Sequence, residues 1–314
     1  MTTPWFGIHL QNHTFPGRPP EQLFDALVEQ ATAAEAAGFG LATVMDHLIQ
    51  IPAAAPETDP LLEGWTTLAA LSRETRAMRL GTLVTGVTYR NPALLAKMAT
   101  SLDVLSGGRA VLGVGAAWSE TEHIAYGYEF PAIGERMDRL DEALTIAKLL
   151  FTEERPTFHG RHYRIKAALN VPRPIQPGGP RILVGGGGEQ RTLRIVARHA
   201  DMAHWFPIGL DGLRHKTEVL QRHCEAVGRD PSTIERTMAA PVAPGETEEA
   251  ARAILLRVPP ERREGVFAGT PRQCAEVLQP YLEAGFTGFT FRNSLLVQRD
   301  EIAVAGELLR LIGG

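Results

Sequence analysis

Residues 79 to 118, RLGTLVTGVTYRNPALLAKMATSLDVLSGGRAVLGVGAAW, read as one strand, helix, strand unit. Leu80 to Thr85 is a short apolar, β-branched run. Pro92 opens a helix, where a missing backbone N–H does no harm, and Leu94, Leu95, Met98, Leu102 and Leu105 recur at helical spacing. Gly107-Gly108 stops that helix, and Arg109 to Val114 is a second strand of buried character. Two parallel strands joined by a helix require a right-handed crossover. Both strands run out into glycines and small polar residues, Thr85-Gly86 and Gly113 to Ala117, on the side of the sheet where open and closed α/β folds place their sites.

The same rhythm extends through the chain. Trp5 to Leu10 is a first strand; Pro20 starts a helix striped by Leu23, Phe24, Leu27, Ala31 and Ala34 and capped at Gly38. Phe39 to Met45 is strand two, ending in Asp46-His47. The Ala- and Pro-rich loop from Gln50 to Leu62 is long enough for a lid or wall, and a helix follows from Gly64 to Arg76. After the central unit come a helical insertion, Ser119 to Tyr126, and an amphipathic helix from Gly134 to Phe151. A hairpin from Thr157 to Ile165 then turns at Gly160, and Pro172 to Pro180 is a linker.

Strand five is Arg181 to Val184, followed by a Gly185 to Gly188 loop and a Glu189 to His199 helix. Strand six, Met202 to Phe206, leads to a helix at Gly212 to Val227; strand seven, Thr237 to Ala243, leads to one at Thr247 to Leu256. A helix from Pro271 to Ala284, strand eight at Phe286 to Phe291 and a helix from Asp300 to Ile312 complete the series. Eight strands alternating with helices fit an α/β (β/α)8 TIM barrel, about 250 residues long, with roughly 60 more for insertions in one domain spanning residues 1 to 314. The competing architecture is two doubly wound domains divided near Pro172 to Pro180.

Composition bounds the partners. At 44% hydrophobic and 22% charged residues the chain has enough apolar material for a large core, and a net charge of -4 with scattered Lys and Arg offers no footprint for nucleic acid. No uninterrupted apolar run approaches about 18 residues and the N-terminus has no basic, leader-like start, so no membrane partner is implied and a cytoplasmic location is expected. Cys224 and Cys274, far apart and without a CxxC, are expected to be reduced helix residues.

Three constellations carry chemistry. Gly185 to Gly188 lies between a strand and a helix, where exposed amides and the helix dipole suit a phosphate; Glu189-Gln190 follows instead of a Walker lysine, so nucleoside triphosphate hydrolysis is not supported. Gly113-Val114-Gly115 supplies only two glycines of a dinucleotide fingerprint, with Trp118 where the third belongs. Asp46-His47 is the best acid/base pair, since histidine titrates near neutrality and strand ends face the site; His9 and His204, each ending a strand, are expected in the same pocket. A metal site is disfavoured, because His9 and His13 form no close ligand pair and HExxH is absent. Trp65, Trp118, Trp205, Tyr126 and Phe206 are available to stack on a ring system or to fill the core.

Met45-Asp46-His47, TGVTYRNP at 85 to 92, LDVLSGGR at 102 to 109, GVGAAW at 113 to 118 and the Gly185 to Gly188 run together resemble the luciferase-like flavin and deazaflavin oxidoreductases over nearly the full chain. The TYRNP and LSGGR forms look most like the members that use coenzyme F420. The resemblance implies an insertion-bearing TIM barrel with a cofactor ring against the end of strand three, where the family has a non-prolyl cis peptide, expected at Thr82-Leu83. It also implies that Thr85 hydrogen-bonds the ring, that Gly115 lines it, that Gly185, Gly186 and Gly187 hold the phosphate, and that His47 is the active-site histidine; Asp46 is expected to orient it or favour its charged form, and His9, Trp118 and His204 are expected in the substrate pocket. Members that oxidise sugar phosphates have a glutamate where Trp118 stands, which argues against that substrate.

The expected function is hydride transfer between F420 and a small organic substrate, with the barrel supplying position and the cofactor the chemistry. The alternatives are an FMN-dependent monooxygenase served by a separate cofactor reductase and a non-catalytic flavin-binding protein. A homodimer is the expected assembly, since dimers are common in the family.

Overall fold

The computed structural model describes residues 3–52, 54–258, 260 and 263–313. Eight parallel positions close into a barrel. In order around it are β1 (Trp5–Leu10), β2 (Leu41–Val44), β3 (Arg79–Thr82) with its continuation β4 (Thr85–Gly86), β5 (Ala110–Gly115), β8 (Arg181–Gly185), β9 (Met202–Trp205), β10 (Glu235–Ala239) and β13 (Phe286–Arg292). Closure is made by β13 on β1, with Phe6 opposite Phe289, and by β3 on β5, with Leu80 opposite Ala110. The pairing of β5 with β8 carries the ladder across the 172–180 linker, so the two-domain alternative is excluded.

Alternation along each strand sorts the side chains into two cores. Phe6, Ile8 and Leu10 of β1 face outward, into the layer of Leu27, Leu68, Leu102, Leu140 and Leu278 from the surrounding helices. Leu41, Val111, Leu183 and Met202 face inward and fill the barrel, with Trp5, Leu83 and Val84 packed on them. Those helices are α1 (Leu23–Ala36), α2 (Gly64–Glu74), α3 (Pro92–Ser106), α4 (Glu120–Tyr126), α5 (Ile133–Thr152), α6 (Thr192–His199), α7 (Leu210–Ala226), α8 (Glu248–Leu256), α9 (Pro271–Glu283) and α10 (Arg299–Gly313). In α3, Asn91 accepts from the Ala93 amide, Pro92 fills the first turn, and Gly107 at φ 71° ends the helix in the left-handed conformation.

Three sequence expectations need correction. Strand three is interrupted: the cis peptide joins Leu83 and Val84, not Thr82 and Leu83. The Leu83 amide still donates to Val44 O at 2.9 Å, so the ladder of β2 and β3 holds the Thr82-Leu83 peptide in ordinary strand geometry and the irregularity falls one residue later. Strand seven stops at Ala239, because Pro241 cannot donate to a ladder. Val242–Pro244 (β11) instead pairs in parallel with Phe267–Gly269 (β12), a strand the sequence pattern did not reveal, in a separate two-stranded sheet. The helix after the glycine run begins at Thr192 rather than Glu189, since Glu189 is drawn to Lys216 and its carbonyl to His223.

The hairpin forms as expected, with Phe158–His159 (β6) against Arg164–Ile165 (β7). Cys224 and Cys274 are free and buried. The linker is tied down by Asp103 at the end of α3, whose carboxylate accepts from the Ile175 and Gln176 amides at 2.7 and 3.0 Å.

Candidate functional site

The inward alternation that buries Leu41, Val111, Leu183 and Met202 in the barrel, with half-buried Trp5 packed on them, brings a second set of side chains to its C-terminal mouth. Register places His9 opposite Thr43 and Arg292, His204 opposite Gly185 and Thr237, and Gly86 opposite Gly115. One side of the mouth is therefore polar, with His9, Thr43, His204, Thr237 and Arg292. The other is nearly bare, with Gly115 and Gly185 and the side chain of Val84 lying over both: a Cβ on Gly115 would meet Val84 Cγ2 at 3.0 Å, and one on Gly185 would meet Cγ1 at 3.1 Å. These two glycines are needed to let Val84 cross the mouth.

On the polar side His9 and His204 are buried and neutral, beside the half-buried, charged guanidinium of Arg292. Thr237 Oγ1 donates to Ala203 O at 2.9 Å, so toward His204 Nδ1, also 2.9 Å away, it can only accept; His204 thus carries its proton on Nδ1 and a lone pair on Nε2. Burial holds His204 down to about 4, and burial with the nearby His204 and Arg292 holds His9 down to about 3. His13 plays no part in the mouth: it bonds Leu10 O and takes the Leu62 amide at 2.9 Å, bracing the 50–62 loop. Pro52, Ala54, Ala55 and Pro56 of that loop wall a cavity of about 430 Å³ with Arg257 and Arg292 across it, so the loop is a wall as expected; Ala53 within it lies outside the described residues.

His47 stands just beyond β2, but Asp46 does not orient it. Asp46 points the other way into a bidentate pair with Arg90, at 2.6 and 3.0 Å, and Arg90 reaches on to Glu63 at 2.7 Å. Burial pushes the Asp46 carboxyl up while Arg90 pulls against it. The carboxylate on His47 is Glu122 of α4, with Oε2 2.7 Å from His47 Nδ1. Glu122 also accepts from Tyr89 Oη at 2.6 Å and from the Leu48 and Ile49 amides. Burial works against its charge, yet the hydrogen bonds from His47, Tyr89 and Leu48 hold the carboxyl down to about 2. An ionised carboxylate only accepts, so His47 donates through Nδ1 and keeps Nε2 for a ligand. Trp118 lies edge-on to the His47 ring at 5.3 Å and is largely exposed.

Sequence reasoning singled out His47 but not Glu122, because the two are 75 residues apart and no local spacing links them. Its one signal was the Ser119 to Tyr126 insertion, placed directly after the strand that ends in glycines.

Thr82 and Thr85 serve the wall. Thr85 Oγ1 donates to Thr82 Oγ1 at 3.0 Å and accepts from Trp65 Nε1 of α2 at 3.1 Å, and Thr82 Oγ1 donates to Gly113 O. The Thr85 hydroxyl proton is thus already committed, leaving one lone pair and the backbone for a ligand. Leu83 is half-buried against the inner core. In the glycine loop, the Gly186 amide bonds His204 O at 3.1 Å, whereas among the described residues the Gly187 and Gly188 amides find no acceptor. A Cβ on Gly187 would meet Lys216 Cε at 3.7 Å, Trp205 Cδ1 at 3.9 Å and Lys216 Cδ at 4.0 Å. Lys216, on α7, was not foreseen; its ammonium sits 2.5 Å from Glu189 Oε1 beside the loop. Tyr126 and Phe206 are exposed near the mouth, while Trp65 and Trp205 are buried.

Fold and mouth together define the class: an insertion-bearing (β/α)8 barrel whose chemistry-bearing side chains gather at the C-terminal ends of its strands. The chain belongs to the luciferase-like monooxygenase family, whose model matches residues 5–259.

It is 33% identical over 169 residues to an uncharacterized protein of Mycobacterium tuberculosis, covering 54% of this chain and 58% of that one, so it spans little more than half the length of this relative. It is 33% identical over 234 residues to the F420-dependent hydroxymycolic acid dehydrogenase of the same organism, covering 74% and 62%. Against the F420-dependent glucose-6-phosphate dehydrogenase of Nocardia farcinica it is 30% identical over 301 residues, covering 84% and 87%. Among solved structures, an F420-dependent secondary alcohol dehydrogenase in complex with an F420-acetone adduct superposes with a TM-score of 0.81 at 19% identity, covering 99% of both chains. EDTA monooxygenase from Chelativorans superposes with 0.82 at 16%, covering 100% and 95%. At these identities the likeness establishes the fold.

Proposed function

We propose that this protein is an oxidoreductase that moves hydride between coenzyme F420 and a small organic substrate at the barrel mouth. The observation that carries the reading is His47, held through Nδ1 by an ionised, buried Glu122 and offering Nε2 to the mouth. The named F420-dependent relatives support the cofactor. The residues present fit it: the bare side made by Gly115, Gly185 and Val84 suits a flat ring, and the Gly187 and Gly188 amides beside Lys216 suit a phosphate. F420, when bound, supplies a two-electron hydride centre on its ring.

The chain's own residues do the rest. His47 Nε2 takes the proton of a substrate hydroxyl as hydride leaves the adjacent carbon, or returns it in the reverse direction. Glu122 stabilises the resulting imidazolium and Tyr89 keeps Glu122 in place. Trp118 and the 50–62 loop wall the substrate side. The proposal extends to a cytoplasmic homodimer, checked by cell fractionation and light scattering.

Titration of the purified protein with F420 and with FMN, followed by a hydride-transfer assay with the bound cofactor, tests the reading. Tighter F420 binding and turnover with an alcohol or carbonyl substrate are expected. Micromolar FMN binding without F420 binding would move the protein to the monooxygenases, and F420 binding with no turnover on any alcohol or carbonyl would make it a carrier.

A further inference from the structure

Among the described residues, Trp205 Nε1 is a buried donor with no acceptor, and the residue is 2% exposed. An indole N–H can only donate, and buried donors nearly always find a partner. Trp205 ends β9 and points outward, opposite in alternation to His204, with its ring braced edge-on against Phe286 at 5.7 Å. Its Cδ1, the ring atom bonded to Nε1, would lie 3.9 Å from a Cβ on Gly187, beside Lys216 Cε at 3.7 Å and Lys216 Cδ at 4.0 Å. The pyrrole edge, the Lys216 stem and the unsatisfied Gly187 amide therefore converge at one spot.

We propose that the Trp205 indole N–H is a further donor to the cofactor's phosphate, completing a cradle with the Gly187 and Gly188 amides and with Lys216 as the counter-charge. The proposal rests on reading the glycine loop as the phosphate site. It gives the buried indole the partner the protein does not supply, and it requires glycine at 187 so that the anion can approach the ring.

The test compares F420 with its phosphate-free deazaflavin, the same ring and ribityl chain, as probes for wild type and Trp205→Phe, with dissociation constants read by calorimetry. Wild type should prefer F420. Trp205→Phe, which keeps an aromatic ring and removes the N–H, should weaken F420 about tenfold or more and leave the phosphate-free ligand unchanged, as expected for a lost hydrogen bond to a charged group. Equal weakening of both ligands would assign Trp205 to packing alone. An unchanged F420 constant in a wild type that still discriminates would remove the indole from the cradle. No discrimination by wild type would instead remove the phosphate from the glycine loop, and the indole's role with it. If Trp205→Phe does not fold, site-specific replacement of Trp205 by benzothienylalanine, which exchanges N–H for sulfur in the same outline, makes the same comparison.

Discussion

At the scale of single residues, the proposed function rests on a histidine, His47, whose free nitrogen is chosen by Glu122, a carboxylate far away in sequence. His47→Asn is expected to lower turnover by about 10² to 10⁴-fold with cofactor affinity within a few-fold, because a positioned acid/base group acts mainly on the chemical step. Glu122→Gln should lower turnover while leaving cofactor affinity similar, since a neutral partner no longer stabilises the imidazolium formed during the step. A packing role would instead appear as lost cofactor affinity or melting temperature with kcat intact. In the glycine loop, Gly186 has φ 117°, so a side chain there strains the backbone wherever it points; Gly187 is the cleaner probe. Gly187→Asp should weaken F420 binding at least tenfold, by placing a carboxylate among amides that face an anion, while circular dichroism stays that of the wild type. His47 was legible because a histidine at a strand end advertises itself. Glu122 and Trp205 were not, because an ion pair and an unpaired donor are properties of the folded neighbourhood.

At the scale of elements, the crowding between β3 and β5 fixes the shape of the mouth. A Cβ on Gly113 would coincide with the Thr82 carbonyl oxygen, and one on Gly81 would lie 2.5 Å from Val111 O, so these strands meet through glycine. Gly113→Ala should therefore cost about 3 kcal/mol, the upper end for overpacking a core, seen as a lower midpoint in urea unfolding. An unchanged midpoint would show that the strands can part without loss. The barrel strands and most helices were readable from apolar runs punctuated by glycine and proline, since those signals are local. The break at Leu83-Val84 and the β11 to β12 pair were not, because both depend on what lies across the sheet rather than along the chain.

For the whole molecule, three buried neutral histidines make stability depend on acid. His9, His13 and His204 are held to about 3, 4 and 4, below the ordinary 6.5, so the unfolded chain binds more protons than the folded one once the pH falls below 6.5. Their contribution is complete above that value and is lost toward the folded pKa values, about 2 kcal/mol for each histidine by about pH 5. Glu122 acts later with the same sign: its stabilising charge is present above the ordinary 4.5 and is lost as the pH falls toward 2. Thermal midpoints should therefore fall steadily from pH 7 to pH 5, and His204→Gln should flatten that slope; a flat wild-type profile would mean the three imidazoles take up protons in the native state as they do in the unfolded chain. Against this background of fixed, dry polar groups, the isopropyl group of Val84 works as a depth gauge. Lying across two bare strands, on the proposed reading it would set how far the cofactor ring sinks before it stops. If that reading holds, trimming or enlarging that one group would reseat the ring without touching the His47–Glu122 pair, a way to refit one scaffold to substrates of different bulk.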